Sequence, residues 1–250
     1  MGPVQRYGDA LAHVTVTRTA TPPDAVSGSL AAATGRPVLA VHVDTGGAPA
    51  APGATLLRLS EDVGRAAAVN RAVAGLAPDV GWVAIADPQV SWGAGALDVL
   101  LRAAAQHPRA GALGPRLRAP DGVLMGSGGP RPRLGQLVRG GVGCVPVPAG
   151  FVGWLAGTCV LVRRAAWDSV DGYDPRYAGS GTDPEPADVD LGDRLDRAGW
   201  LVVGVPSAEV TVHARERQGI LETHDRGLRR YVRDRHAAPA RALMAMVRRG

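Results

Sequence analysis

The sequence contains no lysine, so all 28 of its basic residues are arginine. Phenylalanine occurs once and cysteine twice. The lysine deficit, beside abundant Ala, Gly and Pro, reads as the bias of a GC-rich coding sequence and carries no mechanism. Cys144 and Cys159 lack the CxxC spacing of a zinc or redox site, which leaves two buried thiols in a reducing, cytoplasmic setting as the expectation. Too few aromatics are interleaved with the arginines for a base-stacking surface, so no nucleic-acid partner is expected. The N-terminus shows no basic segment followed by an apolar run, so no secretory leader is expected. No GxGxxG follows the first strand, which argues against a Rossmann dehydrogenase. Residues 17–23 offer no glycine-rich basic loop of the kind a sugar nucleotidyltransferase needs. No fixed-period repeat is present.

One uncharged run is long enough to span a bilayer by count, at residues 141–162. Pro146, Pro148 and several glycines interrupt it, and lipid demands an unbroken helix. The run is therefore expected to be a loop entering a buried strand.

What the chain does have is 250 residues with 46% hydrophobic content, enough for a sizeable core in one compact unit. Its net charge of +5 suits anionic partners, from nucleotide diphosphates to lipid diphosphates or an anionic membrane surface.

Read in order, residues 13–17 (HVTVT) predict a strand and 24–34 a helix. Residues 36–44 (RPVLAVHVD) form a buried run that ends at Asp44 and the turn Thr45-Gly46-Gly47. That is the form of a parallel strand with function at its C-terminal end. A strand over 55–59, a helix over 62–76 and a strand over 82–86 follow, the last emptying into Asp87. Asp44 and Asp87 thus fall on one sheet edge. A helix over 98–106 and a strand over 110–117 lead to a Gly- and Pro-rich interval at 119–150, which is either a surface loop or an acceptor-side flap. Strands over 155–162, 201–205 and 209–213, helices over 164–170 and 188–199, and a basic helical tail over 215–250 complete the chain. The pattern is α/β: a mixed, mostly parallel sheet flanked by helices. A domain at 1–214 has a nucleotide-binding half at 10–117 and an acceptor half at 118–214.

Several stretches carry a family resemblance. Val43 to Gly47 (VDTGG) resembles a VDNGS turn, Gly64 to Asn70 a GxxxxxN helix start, and Ala86 to Val90 (ADPQV) an NPDV or DPDV segment. With GWLAGTCVLVRR, GYDPRY, DVDLGDRL and AGW added, the set resembles the inverting glycosyltransferases of family 2, which have the GT-A fold. PRAGALGP and VPSAEV extend the likeness to the branch that moves L-rhamnose from dTDP-rhamnose to a polyprenyl-diphosphate-linked acceptor in cell-envelope synthesis.

The resemblance implies a role for each matching position. Asp44 would accept the imide N–H of a pyrimidine base, with a turn-stabilising aspartate as the plain alternative. Asp87 and Gln89 stand where the family places its DxD, which holds Mg2+ or Mn2+ against the donor diphosphate, and His213 stands where some relatives supply a further ligand. Gln89 removes one negative charge from that set. Asn70 and Trp154 join the nucleotide-sugar-binding set. Asp188 matches the general base that deprotonates the acceptor hydroxyl; a cap on a helix starting at Val189 is its alternative role. Ala187 replaces the glutamate that normally precedes the base, and Glu185, between Pro184 and Pro186, is the nearest substitute. The arginine-rich tail would rest on an anionic membrane at the inner face of the plasma membrane, or else be a solvated helix face. Expected partners are a dTDP- or UDP-sugar donor and a glycan or lipid-linked acceptor. The competing reading is a degenerate GT-A domain that binds a nucleotide sugar or a protein without turnover, motivated by Gln89 and Ala187.

Overall fold

The fold is known from a computed structural model, which describes residues 8–18, 23–133, 136, 142–177, 186–213 and 226–235. The sheet is built around β4 (Val80–Ala86), whose seven residues are all buried. A strand covered on both faces reads as an unbroken apolar run, as VGWVAIA does. Beside it lie β1 (Ala10–Thr17), β2 (Val38–Asp44) and β3 (Thr55–Arg58), all parallel to it. On the other side β11 (Cys159–Arg163) runs antiparallel between β4 and β6 (Ala110–Arg118). Then come β12 (Leu201–Val212), parallel to β6, and β5 (Val90–Trp92), antiparallel at the edge. The order is β3-β2-β1-β4-β11-β6-β12-β5, the mixed, mostly parallel sheet that the sequence pattern predicts.

Helices cover both faces. α1 (Asp24–Ala33) and α3 (Ala96–Gln106) lie over a core of Leu97, Leu100, Leu113 and Leu161. α2 (Arg65–Ala74), α4 (Arg164–Ser169) and α5 (Pro186–Arg197) cover the opposite core, which holds Val14, Ile85, Trp154 and Leu195. Polar side chains on β1 face the first core and are satisfied there. Thr15 Oγ1 donates to the Ala86 carbonyl at 2.6 Å, and His13 Nε2 accepts from Trp92 Nε1 at 3.3 Å.

Three expectations need correction. Residues 155–162 are not one strand: β10 (Trp154–Leu155) pairs with β8 (Gly128–Gly129), and the chain turns through 156–158 before β11 starts. Residues 201–213 are not two strands but one, β12, with a register shift between Val205 and Glu209. Pro206 has no N–H for the ladder, so it reads as a strand break, and a bulge accommodates it instead. The 119–150 interval is also more ordered than a plain loop where it is described. β7 (Leu124–Met125) folds back on β6, and β9 (Gly150–Phe151) pairs with β12.

Of the basic tail, the described part is α6 (Arg226–Arg235). It is amphipathic and not merely solvated. Leu228, Tyr231 and Val232 are buried, at the i, i+3, i+4 spacing of one helix face, while Arg230 and Arg233 are exposed. Tyr231 meets Tyr177 edge to face at 5.7 Å, and Tyr177 lies in a 3-10 turn (Pro175–Tyr177). No helix among the described residues is long and apolar enough to cross a membrane.

Candidate active site

The C-terminal ends of β1, β2 and β4 share one edge, because these strands are parallel, and the chain entering β11 returns to that edge beside β4. Asp44 ends β2 with its side chain fully buried. Its Oδ1 accepts the N–H groups of Gly46 at 3.0 Å and Ala48 at 2.9 Å, so the turn role is real. Its Oδ2 lies 3.2 Å from Arg58 Nε. Burial pushes the Asp44 carboxyl upward, but the two N–H groups and the Arg58 charge outweigh it and hold the group below its ordinary value. A buried carboxylate ionised in this way can accept an N–H from a ligand.

The second carboxylate, Asp87, follows β4, where its N–H donates to the Thr158 carbonyl at 2.9 Å. The third, Asp188, lies in the first turn of α5 and is 2% exposed. The helix begins at Pro186 and not at Val189, so Asp188 is not its cap. Its charge still suits the positive end of the helix dipole.

Arg65, the first residue of α2, brings these two acids together. Its Nε lies 3.4 Å from Asp87 Oδ1 and its Nη1 3.9 Å from Asp188 Oδ1. Its Nη2 donates to the Gly157 carbonyl, and its guanidinium stands 5.7 Å from the centre of the Tyr173 ring. A Cβ at position 157 would displace the Arg65 guanidinium from where it sits, so the absence of a side chain there admits this contact. The Tyr173 hydroxyl lies close to Asp188 and Arg65, and burial together with the Asp188 charge pushes its pKa far up. Burial and the nearby Asp188 likewise raise Asp87, against the opposing pull of Arg65.

Asn70 clamps this arrangement. Its Nδ2 donates to the Tyr173 carbonyl at 2.7 Å and its Oδ1 accepts the Tyr173 N–H at 3.0 Å. Asn70 thus holds the Tyr173 turn with both ends of its carboxamide. Gly172 precedes that tyrosine with φ of 64°, where a Cβ would meet Asn70 Oδ1 and the Trp167 ring. Trp154, also expected at the donor, is wholly buried in the core.

Gln89 and His213 are neighbours: the His213 N–H donates to the Gln89 carbonyl at 2.7 Å. Both side chains are exposed, and His213 Nε2 lies 2.9 Å from Ser91 Oγ. Among the described residues no three His, Cys, Asp or Glu side chains cluster as metal ligands. One carboxylate with an amide oxygen fits Mg2+ or Mn2+ only where a diphosphate supplies further oxygens. Glu185 lies outside the described residues, and Ala187 is buried.

The residues that the sequence reading passed over are Arg58, Arg65 and Tyr173. Arg65 and Tyr173 lie inside quoted motifs, GRAAAVN and GYDPRY, so a signal was present.

A parallel-centred sheet with acids at one edge, and a buried aspartate brought up to them by a helix of the second half, is the layout of a GT-A glycosyltransferase. Comparison with solved structures agrees. The fold matches GalNAc-T7 solved with UDP, GalNAc and Mn2+ at a TM-score of 0.63 and 13% identity, over 90% of this chain and 48% of that one. It matches the mannosyltransferase PcManGT of Pyrobaculum calidifontis, solved with GDP-Man and Mn2+, at 0.54 and 16%, over 86% and 60%. No protein-family model matches the chain. The N-acetylglucosaminyl-diphospho-decaprenol L-rhamnosyltransferase of Mycobacterium tuberculosis is 40% identical over 89% of this chain and 83% of its own length. The chain belongs to that family of glycosyltransferases.

Proposed function

We propose that the chain transfers L-rhamnose from dTDP-rhamnose, with inversion, to a polyprenyl-diphosphate-linked GlcNAc acceptor. The carrying observation is the placement of Asp188: a buried carboxylate at a helix start, close to the Tyr173 hydroxyl and within 3.9 Å of the Arg65 guanidinium that also reaches Asp87. In this reading Asp188 takes the proton of the acceptor hydroxyl as that oxygen attacks the anomeric carbon. A single in-line displacement inverts the centre.

Asp44 accepts the imide N–H of thymine through the oxygen now facing Arg58. Asp44 and Asp87 end strands separated only by β1, about 10 Å apart at ordinary strand spacing. A nucleoside diphosphate spans that interval. Asp87, with the amide oxygen of Gln89 and with His213 once it leaves Ser91, would hold Mg2+ or Mn2+. The ion would offset the charge of the leaving diphosphate. The exposed Arg230, which donates to the Arg176 carbonyl, would face an anionic membrane at the inner face of the plasma membrane, where a lipid-linked acceptor is presented; the exposed Arg176 and Arg233 nearby are paired with Asp174 and Asp234.

Calorimetric titration with dTDP-rhamnose and UDP-sugars, with and without manganese, tests the donor, and a transfer assay with Asp188→Asn tests the base. The expected result is binding of dTDP-rhamnose that manganese strengthens, with transfer abolished and donor affinity nearly unchanged in the variant. Nucleotide-sugar binding without turnover in the wild type would favour the degenerate domain that Gln89 and Ala187 suggest.

A further inference from the structure

Arg65 has no part in the transfer as described above, yet the site is arranged around it. Its side chain is 14% exposed. Two of its contacts are with neutral groups: the Gly157 carbonyl, reachable only because residue 157 has no side chain, and the Tyr173 ring, held in turn by Asn70. These seat the guanidinium at the sheet edge without a carboxylate. Its charged contacts are longer, 3.4 Å to Asp87 and 3.9 Å to Asp188. The Asp87 contact sits at the outer limit of hydrogen-bond distance.

The charges of the site frame the problem. A donor diphosphate brings about two negative charges to an edge that already holds Asp87 and Asp188. Gln89 adds no negative charge to attract a metal ion. The guanidinium fork is planar and matches phosphate oxygens in pairs, which an ammonium cannot do.

We propose, on the transferase reading above, that Arg65 receives the donor diphosphate. The edge of the guanidinium that meets Asp87 turns to the phosphate oxygens when the donor binds. During transfer the bond from the anomeric carbon to the diphosphate oxygen breaks, and its electron pair stays on that oxygen. The acceptor oxygen bonds to the carbon, its proton goes to Asp188, and Arg65 keeps its own proton while stabilising the new charge on the nucleoside diphosphate. Turning toward the donor also moves the cation off Asp87, which leaves that carboxylate for a metal ion.

The test compares dTDP with thymidine, which shares the base and sugar but has no phosphate. Affinities of the full chain and of Arg65→Met and Arg65→Lys are measured by calorimetry for dTDP and by NMR titration for thymidine. The expected result is at least a tenfold loss of dTDP affinity in Arg65→Met, an intermediate loss in Arg65→Lys, and thymidine affinity within twofold of wild type in both. Equal losses for the two ligands would mean that Arg65 supports the donor site as a whole and does not act on the diphosphate, and no loss for dTDP would mean that it does not meet the diphosphate; either result overturns the proposal. Should Arg65→Met lack a cooperative melting transition, Arg65→Lys and Arg65→Gln carry the comparison on the same criteria. Wild-type protein that binds neither ligand would overturn the donor reading itself, a result distinct from any change in the variants.

Discussion

Replacing Asn70 by alanine separates two roles that the same residue can have. The family resemblance makes it a donor contact, whereas the structure shows both ends of its carboxamide on the Tyr173 backbone, at 2.7 and 3.0 Å. Alanine would strand a buried N–H and a buried carbonyl, each at about 1–3 kcal/mol. Asn70 is only half-buried, so water relieves part of that, and a total on the order of 3 kcal/mol is expected. For a chain of this size the melting temperature should fall by roughly 6–12 °C. The kinetic effect follows from what the turn carries. Tyr173 lies close to Asp188 and beside Arg65, so a loosened turn would displace Asp188, the proposed base, and a displacement of about 1 Å lowers kcat about a hundredfold. Thymidine affinity should not change. Thermal melting, steady-state transfer kinetics and thymidine titration check the three parts. An unchanged melting temperature with a tenfold weaker grip on thymidine would refute the clamp and restore Asn70 to the donor site.

Three further predictions read other parts of the structure. Burial lowers His13 from 6.5 to about 4, so its contribution to stability is full above pH 6.5 and is lost as pH falls toward 4. Between pH 7 and 4.5 the wild type should therefore lose about 2–3 kcal/mol that His13→Gln, which keeps an acceptor for Trp92, does not lose; parallel denaturation curves for the two proteins would contradict this. Asp190 is fully buried and pairs with Arg194 at 2.6 Å and Arg235 at 2.8 Å, which ties α6 to the helix of the base. Asp190→Ala should cost about 3–5 kcal/mol and Arg235→Met less, and the double variant should fall short of their sum; strict additivity would show that the pair is not coupled. Gln89→Asp adds a carboxylate two residues from Asp87, so manganese should raise donor affinity more in this variant than in the wild type, as calorimetry would read.

Much of the fold was legible because buried strands announce themselves. VLAVHVD and WVAIA end in acids, and parallel strands place their C-terminal ends together, so Asp44 and Asp87 could be assigned to one edge from pattern alone. The same local reading failed where a partner lay far along the chain. The partner of Asn70 is 103 residues away, and nothing near position 70 signals it. Arg65 was hidden by composition: among 28 arginines and no lysine, one more arginine at a helix start does not stand out. The tail misled for a different reason. Over 36 residues its apolar positions show no stripe, whereas over the ten of α6 Leu228, Tyr231 and Val232 share one face.

The expected halves, 10–117 for the donor and 118–214 for the acceptor, meet inside one sheet, and the chemistry depends on that. β11 comes from the second half yet lies between β4 and β6 of the first, so the first half cannot complete its sheet alone. The bend leading into β11 places the Gly157 carbonyl beside the end of β4, and Arg65 from the first half is seated on it. From little more than one turn further along the same helix, Asn70 fixes the backbone of Tyr173, whose hydroxyl lies close to Asp188. α2 thus connects the acid that follows β4 to the base carried by α5 through side chains at two of its positions. On the proposed reading, with Asp188 as the base, a shift of α2 on donor binding would reach Asp188 through both connections and so couple donor binding to acceptor activation.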